Sequence, residues 1–219
     1  MQFGASRRTL AFDYPGYGES DPLVERSGAP HDQFAEAILA ALDALGLDQV
    51  HLCGLSLGGV VAIAIAHRAP ARLASLIIAD SFARHPDGTA IAERSLAASS
   101  DMAALANARI PHLLGANPPD QLVAQLVEVM SNIDPAAFRF ASRAVWLADQ
   151  RDRAAAIAAP TLIICGECDR VTPPALSEEL AAIVAGSRLA IIPVAGHLPS
   201  LEQSALFNRH LADFIGLAD

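Results

Sequence analysis

Apolar residues recur along residues 31–47 at Phe34, Ile38, Leu42 and Leu45, the i, i+4, i+8, i+11 stripe of an amphipathic helix that ends at Gly46. Elsewhere the pattern changes to short, continuous apolar runs: Val50 to Cys53, Leu73 to Ala79, Thr161 to Cys165, and Arg188 to Pro193. Runs this short, rich in Leu, Ile and Val, predict buried strands of a parallel sheet. Between and after them the helical period returns over residues 59–66, 121–130, 135–148, 173–185 and 200–215. Two prolines open the fourth of these, where a first turn tolerates them. Strands alternating with helices predict an α/β, doubly wound architecture with no internal repeat.

The first strand runs into Gly54-Leu55-Ser56-Leu57-Gly58, and the helical segment follows at once. A serine at so tight a strand-to-helix junction is the nucleophile-elbow pattern, in which the turn strains the serine and the residues two places either side must be small. A serine hydroxyl needs a histidine to take its proton and an acid to orient that histidine. Asp169 lies in the loop after the run ending at Cys165, and His197 in the loop after the run ending at Pro193. Three loops at one edge of a parallel sheet can converge. The order Ser56, Asp169, His197 is the nucleophile, acid, histidine order of one hydrolase class and not that of chymotrypsin or subtilisin. Asp80, after the run ending at Ala79, is a competing acid. The other histidines, at 31, 51, 67, 85, 112 and 210, have no acid at a telling spacing and read as surface or core residues.

On these residues the chain resembles the α/β-hydrolase family over nearly all its length. The likeness rests on Phe12-Asp13-Tyr14-Pro15-Gly16-Tyr17-Gly18-Glu19-Ser20, on the elbow at Ser56, on the Gly166 to Asp169 loop, and on Gly196-His197. Asp13 and Ser20 read as residues that stabilise their own turn. The resemblance implies a mostly parallel α/β-hydrolase sheet, formed by residues 1–82 and 159–219, with residues 83–158 inserted as a helical cap. It places Phe138 and Trp146 of the cap among candidate substrate-binding residues, and it makes the Leu57 N–H an oxyanion donor.

Family members carry three more strands and a helix before the turn that here begins at residue 12, so the fold is expected to be N-terminally truncated. The strand expected at Arg8 to Phe12 then lacks its ordinary neighbour. It would have to pair directly with the elbow strand, exchange segments with a second chain, or leave the sheet unstable. The polar Gln2 to Arg8 stretch reads like the end of a helix, which makes Met1 as an internal methionine of a longer protein a further explanation. The missing strands would also supply the second oxyanion donor, whose loss costs about 100 to 1,000-fold in turnover.

Composition narrows the rest. At 219 residues, 53% hydrophobic and 18% charged, the chain can bury a full core. A net charge of −9 argues against nucleic acid as a partner. No signal peptide is apparent, and the apolar stretch near Val60 to Ala66 is too short to cross a bilayer, so the expected setting is the cytoplasm, without a membrane partner. Three cysteines offer no disulfide framework, and Cys165-x-x-Cys168 reads as packing rather than a redox or metal pair. The expected function is hydrolysis of a small, mostly apolar carboxylic ester or lactone through an acyl-enzyme, with no metal or organic cofactor and with a homodimer as one arrangement. The cap segment and the turn after Asp80 are similar to 3-oxoadipate enol-lactonases and short-chain esterases. Carbon–carbon bond hydrolysis and cofactor-free perhydrolysis use the same triad in this family, and a catalytically impaired, truncated relative that only binds a partner is the non-enzymatic alternative. Dehalogenases and epoxide hydrolases are disfavoured because those relatives place aspartate where Ser56 stands.

Overall fold

The computed structural model describes residues 7–216. Helix α1 (Pro30–Ala44) precedes strand β1 (Val50–Leu55), the helix α2 (Leu57–Arg68) and strand β2 (Leu73–Ala79). Five helices follow: α3 (Gly88–Ala98), α4 (Met102–Leu113), α5 (Asp120–Ser131), α6 (Pro135–Trp146) and α7 (Arg151–Ala155). The chain returns to the sheet with β3 (Thr161–Gly166), α8 (Pro174–Ile183) and β4 (Arg188–Ile192), and closes with α9 (Pro199–Glu202) and α10 (Ser204–Phe214). The expected single helix at residues 200–215 is thus two, broken at Gln203.

The four strands pair in the order β1-β2-β3-β4, all parallel. Alternation along the central strands sets the two faces of the sheet. Leu76, Ile78 and Ile163 pack toward α1, α2, α6 and α8, against Phe34, Val61, Ile65, Phe140 and Leu180. Ile77, Ala79, Leu162 and Ile164 face the other way, where Phe207, Leu211 and Phe214 of α10 cover them. β2 and β3 are buried on both faces, which is why they read as unbroken apolar runs rather than alternating ones. On α1 the predicted stripe is buried at Phe34, Ile38 and Leu42, whereas Leu45 lies beyond the helix and is exposed.

The segment Arg8 to Phe12 is a correction to the sequence reading. It forms no strand and is exposed throughout, so it does not pair with the elbow strand. Among the described residues β1 pairs with β2 on one side only, and along its other side runs a groove of about 650 Å³ whose walls include Leu10, Phe12, Leu52 and Leu55. A turn at residues 13–20 follows the segment. Ser20 Oγ donates to the Asp13 carbonyl at 2.7 Å and the Glu19 N–H to the Asp13 carboxylate at 3.2 Å, so both residues brace the turn as expected. The stretch read as the end of a helix, Gln2 to Arg8, lies mostly outside the described residues.

Helices α3 to α7 do not form a detached layer. α4 and α5 pack on each other around their own apolar cluster of Met102, Ala106, Ile110, Leu114, Met130 and Phe138. By contrast α6 contributes Phe140, Ala141 and Ala144 to the main core. Phe34 knits these parts together, with its ring 4.6 Å from Tyr14 in the turn and 5.2 Å from Phe140 of α6, at 1% exposure. Phe34→Ala is therefore expected to cost about 3 to 5 kcal/mol of stability in urea unfolding. A loss under about 1 kcal/mol would show that the turn and α6 do not depend on this ring.

Candidate active site

Every chemically suggestive side chain lies at the C-terminal ends of the parallel strands: Ser56 after β1, Asp80 after β2, Asp169 after β3 and His197 after β4. That edge is where open α/β sheets bind ligands. Backbone strain collects there too. Among the described non-glycine residues, positive φ occurs at Ser56 (54°), Asp80 (45°), Asn117 and Val194 (65°), and three of these four are at this edge.

At Ser56 the chain turns with φ 54° and ψ −114° between β1 and α2. The turn is held from two sides. The Ser56 N–H donates to the Ala79 carbonyl at 2.9 Å, and Ser81 Oγ donates to the Ser56 carbonyl at 2.8 Å. A Cβ on Gly54 would overlap the Gly58 carbonyl, so glycine is required there. Gly58 is less constrained, since its Cβ would meet only the Tyr14 hydroxyl, at 3.9 Å. The requirement for small residues on both sides of the serine thus holds sterically for one of them. Leu57 is the first residue of α2, and its N–H has no acceptor among the described residues.

Ser56 Oγ lies 2.9 Å from His197 Nε2, and His197 Nδ1 lies 2.8 Å from Asp169 Oδ2. With the Nδ1–H directed to the carboxylate, the Nε2 lone pair is left to accept the serine proton. His197 and Asp169 are each 3% exposed, so water competes little for this pair. Asp169 also accepts from the Val171 N–H at 2.8 Å, the Thr172 N–H at 3.1 Å and Thr172 Oγ1 at 2.6 Å. Burial works to raise its pKa, but the His197 bond and charge together with the Thr172 bonds outweigh it and hold the carboxyl below its usual range.

Two further residues support the histidine, and the sequence reading missed both. Thr172 is the second partner of the Asp169 carboxylate. Glu202 of α9 accepts from the Gly196 N–H at 3.0 Å and from the Gly115 N–H at 2.6 Å, joining the histidine loop to the segment after α4. The His197 N–H itself donates to the Leu113 carbonyl at 2.7 Å. No motif marks Glu202. The only signal was a carboxylate five residues after the histidine.

Asp80 is fully buried, accepts from the Gly166 N–H at 2.8 Å through Oδ1, and has no partner for Oδ2. Single ligand atoms of Asp80, Cys165 and Asp169 lie within 4.8 Å of one another. Burial pushes the Asp80 pKa up to about 9; the Gly166 bond offsets this in part, and the Asp169 charge adds to it. The two acids therefore divide: Asp169 is ionised on the histidine, and Asp80 is a neutral carboxylic acid behind it. Cys165 is buried, with its thiol pushed up to about 12 mainly by burial, while Cys168 is exposed. Trp146 stacks on Phe82, ring centroids 5.9 Å apart, in a cluster that includes Leu57 and Val60. Phe138 is not brought to that cluster and packs inside the α4–α5 core. His85, read as a bystander, lies edge-on to Trp146 at 5.4 Å.

Residues 1–210 match the Alpha/beta hydrolase family. The chain belongs to that family. It is 28% identical over 212 residues to 3-oxoadipate enol-lactonase 1 of Acinetobacter baylyi, an alignment covering 95% of this chain and 78% of the relative. It is 31% identical over 218 residues to a pimeloyl-[acyl-carrier protein] methyl ester esterase of Neisseria meningitidis serogroup B, covering 94% and 81%. The enol-lactonase from Burkholderia xenovorans superposes with a TM-score of 0.84 at 26% identity, over 93% of this chain and 79% of that one. Among the described residues no helix of this hydrolase is long and apolar enough to cross a membrane.

The division between the two acids has a measurable consequence. Below about pH 4 Asp80 is protonated whether the hydrolase is folded or not, and it adds no pH dependence. Between there and about 9 the unfolded chain releases a proton that the native state retains, so stability falls as pH rises, by at most about 1.4 kcal/mol per unit. Asp80→Asn keeps an acceptor for Gly166 and removes this slope. Its stability relative to wild type should improve steadily from pH 5 to pH 8 in denaturant melts, and parallel curves would show that Asp80 titrates as an ordinary carboxylate.

Proposed function

We propose that the protein hydrolyses a small, mostly apolar carboxylic ester or lactone through an acyl-enzyme on Ser56. The observation that carries this reading is the unbroken line of hydrogen bonds Ser56–His197–Asp169, at 2.9 and 2.8 Å, with the last two residues buried. Ser56 Oγ attacks the carbonyl carbon as its proton passes to His197 Nε2. The imidazolium formed is stabilised by Asp169, and His197 then protonates the departing alkoxide. In the second half, His197 takes a proton from water, the hydroxide attacks the acyl carbon, and Ser56 regains its proton. The Leu57 N–H, free at the start of α2, faces the developing oxyanion.

Both the enol-lactonase and the methyl ester esterase to which the chain is similar are named for a lactone or ester substrate, which supports this reading. Helices α3 to α7 act as the cap, with Trp146 and Phe82 forming an apolar wall next to Leu57. For the second oxyanion donor we assign Tyr14. Its hydroxyl stands 3.9 Å from the Cβ position of Gly58, two residues after the nucleophile. Burial pushes its pKa up to about 12, so it is a neutral O–H donor at working pH.

Ser56→Ala should reduce hydrolysis of p-nitrophenyl butyrate to the background rate while leaving the fold intact by circular dichroism. Equal rates in the mutant and the wild type would leave the chain as a catalytically impaired relative. Tyr14→Phe keeps the ring against Phe34 and removes only the donor, so kcat should fall about 100-fold or more with little change in KM. An unchanged kcat would remove Tyr14 from the mechanism.

A further inference from the structure

Arg109 lies on α4 one turn before Leu113, whose carbonyl holds the His197 backbone, so the two residues share a helix face. Met102 and Ala106, on that same face, are buried within the cap, so Arg109 stands on the inward side of α4. The guanidinium carbon of Arg109 is 5.9 Å from the centroid of the Trp146 ring. Trp146 in turn packs in the same cluster as Leu57, the residue after the nucleophile. A continuous line of contacts therefore runs from the elbow to this cation.

What sets Arg109 apart is that it has no counter-charge. Among the described residues it is half-buried and makes neither an ion pair nor a hydrogen bond. Arg26, Arg72, Arg143 and Arg153 all meet carboxylates. Arg8, Arg94 and Arg209 also lack such partners, but they are exposed, where water solvates the charge. Burial pulls the Arg109 guanidinium below the usual arginine value, and the group opposing that pull is the Tyr17 hydroxyl rather than an acid. Tyr17 itself donates to the Ala137 carbonyl at 3.3 Å, and the nearby Asp134 accepts from the N–H groups of Ala136 and Ala137 through Oδ1 and forms no ion pair with Arg109 among the described residues. A second unmet group lies in the same contact. Trp146 is 3% exposed and its Nε1–H has no acceptor. A half-buried cation without a counter-charge and a buried N–H donor without an acceptor thus meet in one contact, and a carboxylate could answer both.

From this we infer that Arg109 and Trp146 form a carboxylate subsite, so that the favoured substrate is an ester or lactone carrying a free carboxylate a few bonds from the scissile carbonyl. This rests on the hydrolase reading above and adds the substrate class to it. The carboxylate would neutralise Arg109 and accept from the indole, while the apolar chain between the two ends lies along Phe82 and Leu57. The chain's net charge of −9 makes it a poor general attractor of anions, so such a preference has to come from a local site.

The test has two arms. In the first, glutarate is titrated by calorimetry into folded Ser56→Ala, with the fluorescence of Trp146, the only tryptophan, as a local signature. Saturable binding is expected, with no binding of the neutral diamide of glutaric acid. Adding Arg109→Gln should weaken the glutarate Kd about 10 to 100-fold, and Arg109→Lys should restore part of it. In the second arm, mono-p-nitrophenyl glutarate is compared with p-nitrophenyl butyrate. Arg109→Gln should lower kcat/KM for the acid ester at least about tenfold more than for the neutral one, chiefly through KM. Equal losses on both esters, or a glutarate Kd indifferent to residue 109, would overturn the subsite and leave Arg109 as a packing residue. Failure of the wild type to hydrolyse either ester would instead overturn the hydrolase reading, and the glutarate titration would still decide the subsite.

Discussion

The chemistry depends on one buried hydrogen bond, from His197 to Asp169, and on the backbone contact that makes it achievable. The two residues leave neighbouring parallel strands, β3 and β4, whose registers pair Gly166 with Ile192. A Cβ on Gly166 would strike the carbonyl oxygens of Ala195 and Gly196, so the acid loop and the histidine loop meet main chain to main chain. Only that approach lets a short aspartate reach the imidazole at 2.8 Å while both side chains stay dry. The serine is then presented by a third strand end, strained into position by a turn too tight for any residue but glycine at position 54.

Two carboxyl groups at one buried location cannot both ionise cheaply, and the surroundings determine which one does. Asp169 receives two N–H groups, a hydroxyl and an imidazole; Asp80 receives a single N–H. The number of donors, not depth of burial, separates them, because both are nearly inaccessible. The sequence offered both as candidate acids at the ends of adjacent strands, and it is this donor count that tells them apart in three dimensions.

The sheet was legible because buried parallel strands leave unbroken apolar runs, and β2 was read from Leu73 to Ala79 without error. The elbow, the acid and the histidine were legible because each follows such a run within a few residues. Elements without a period were not. Arg8 to Phe12 has the look of a strand, but a strand exists only through its partner, and this segment pairs with none among the described residues. Phe138 and Trp146 read alike as aromatic residues of one helix, eight positions apart. Which of them turns toward the elbow is set by the packing of α4 and α5, which the pattern of α6 does not encode. Glu202 and Thr172 act through main-chain amides and a neighbouring carboxylate, contacts that leave no trace in residue spacing.

The Glu202 carboxylate grips Gly196 and Gly115 at once, and Leu113 holds the His197 backbone from the same side. The end of α4 is therefore both roof and scaffold. If it lifted to admit a substrate, the histidine loop would lose two of its anchors in the same movement, and the base would fall out of line with the serine. Admission and readiness are mechanically opposed at this corner of the molecule, so traffic is expected to pass elsewhere along the cap. A site that opened here would be disarmed while open.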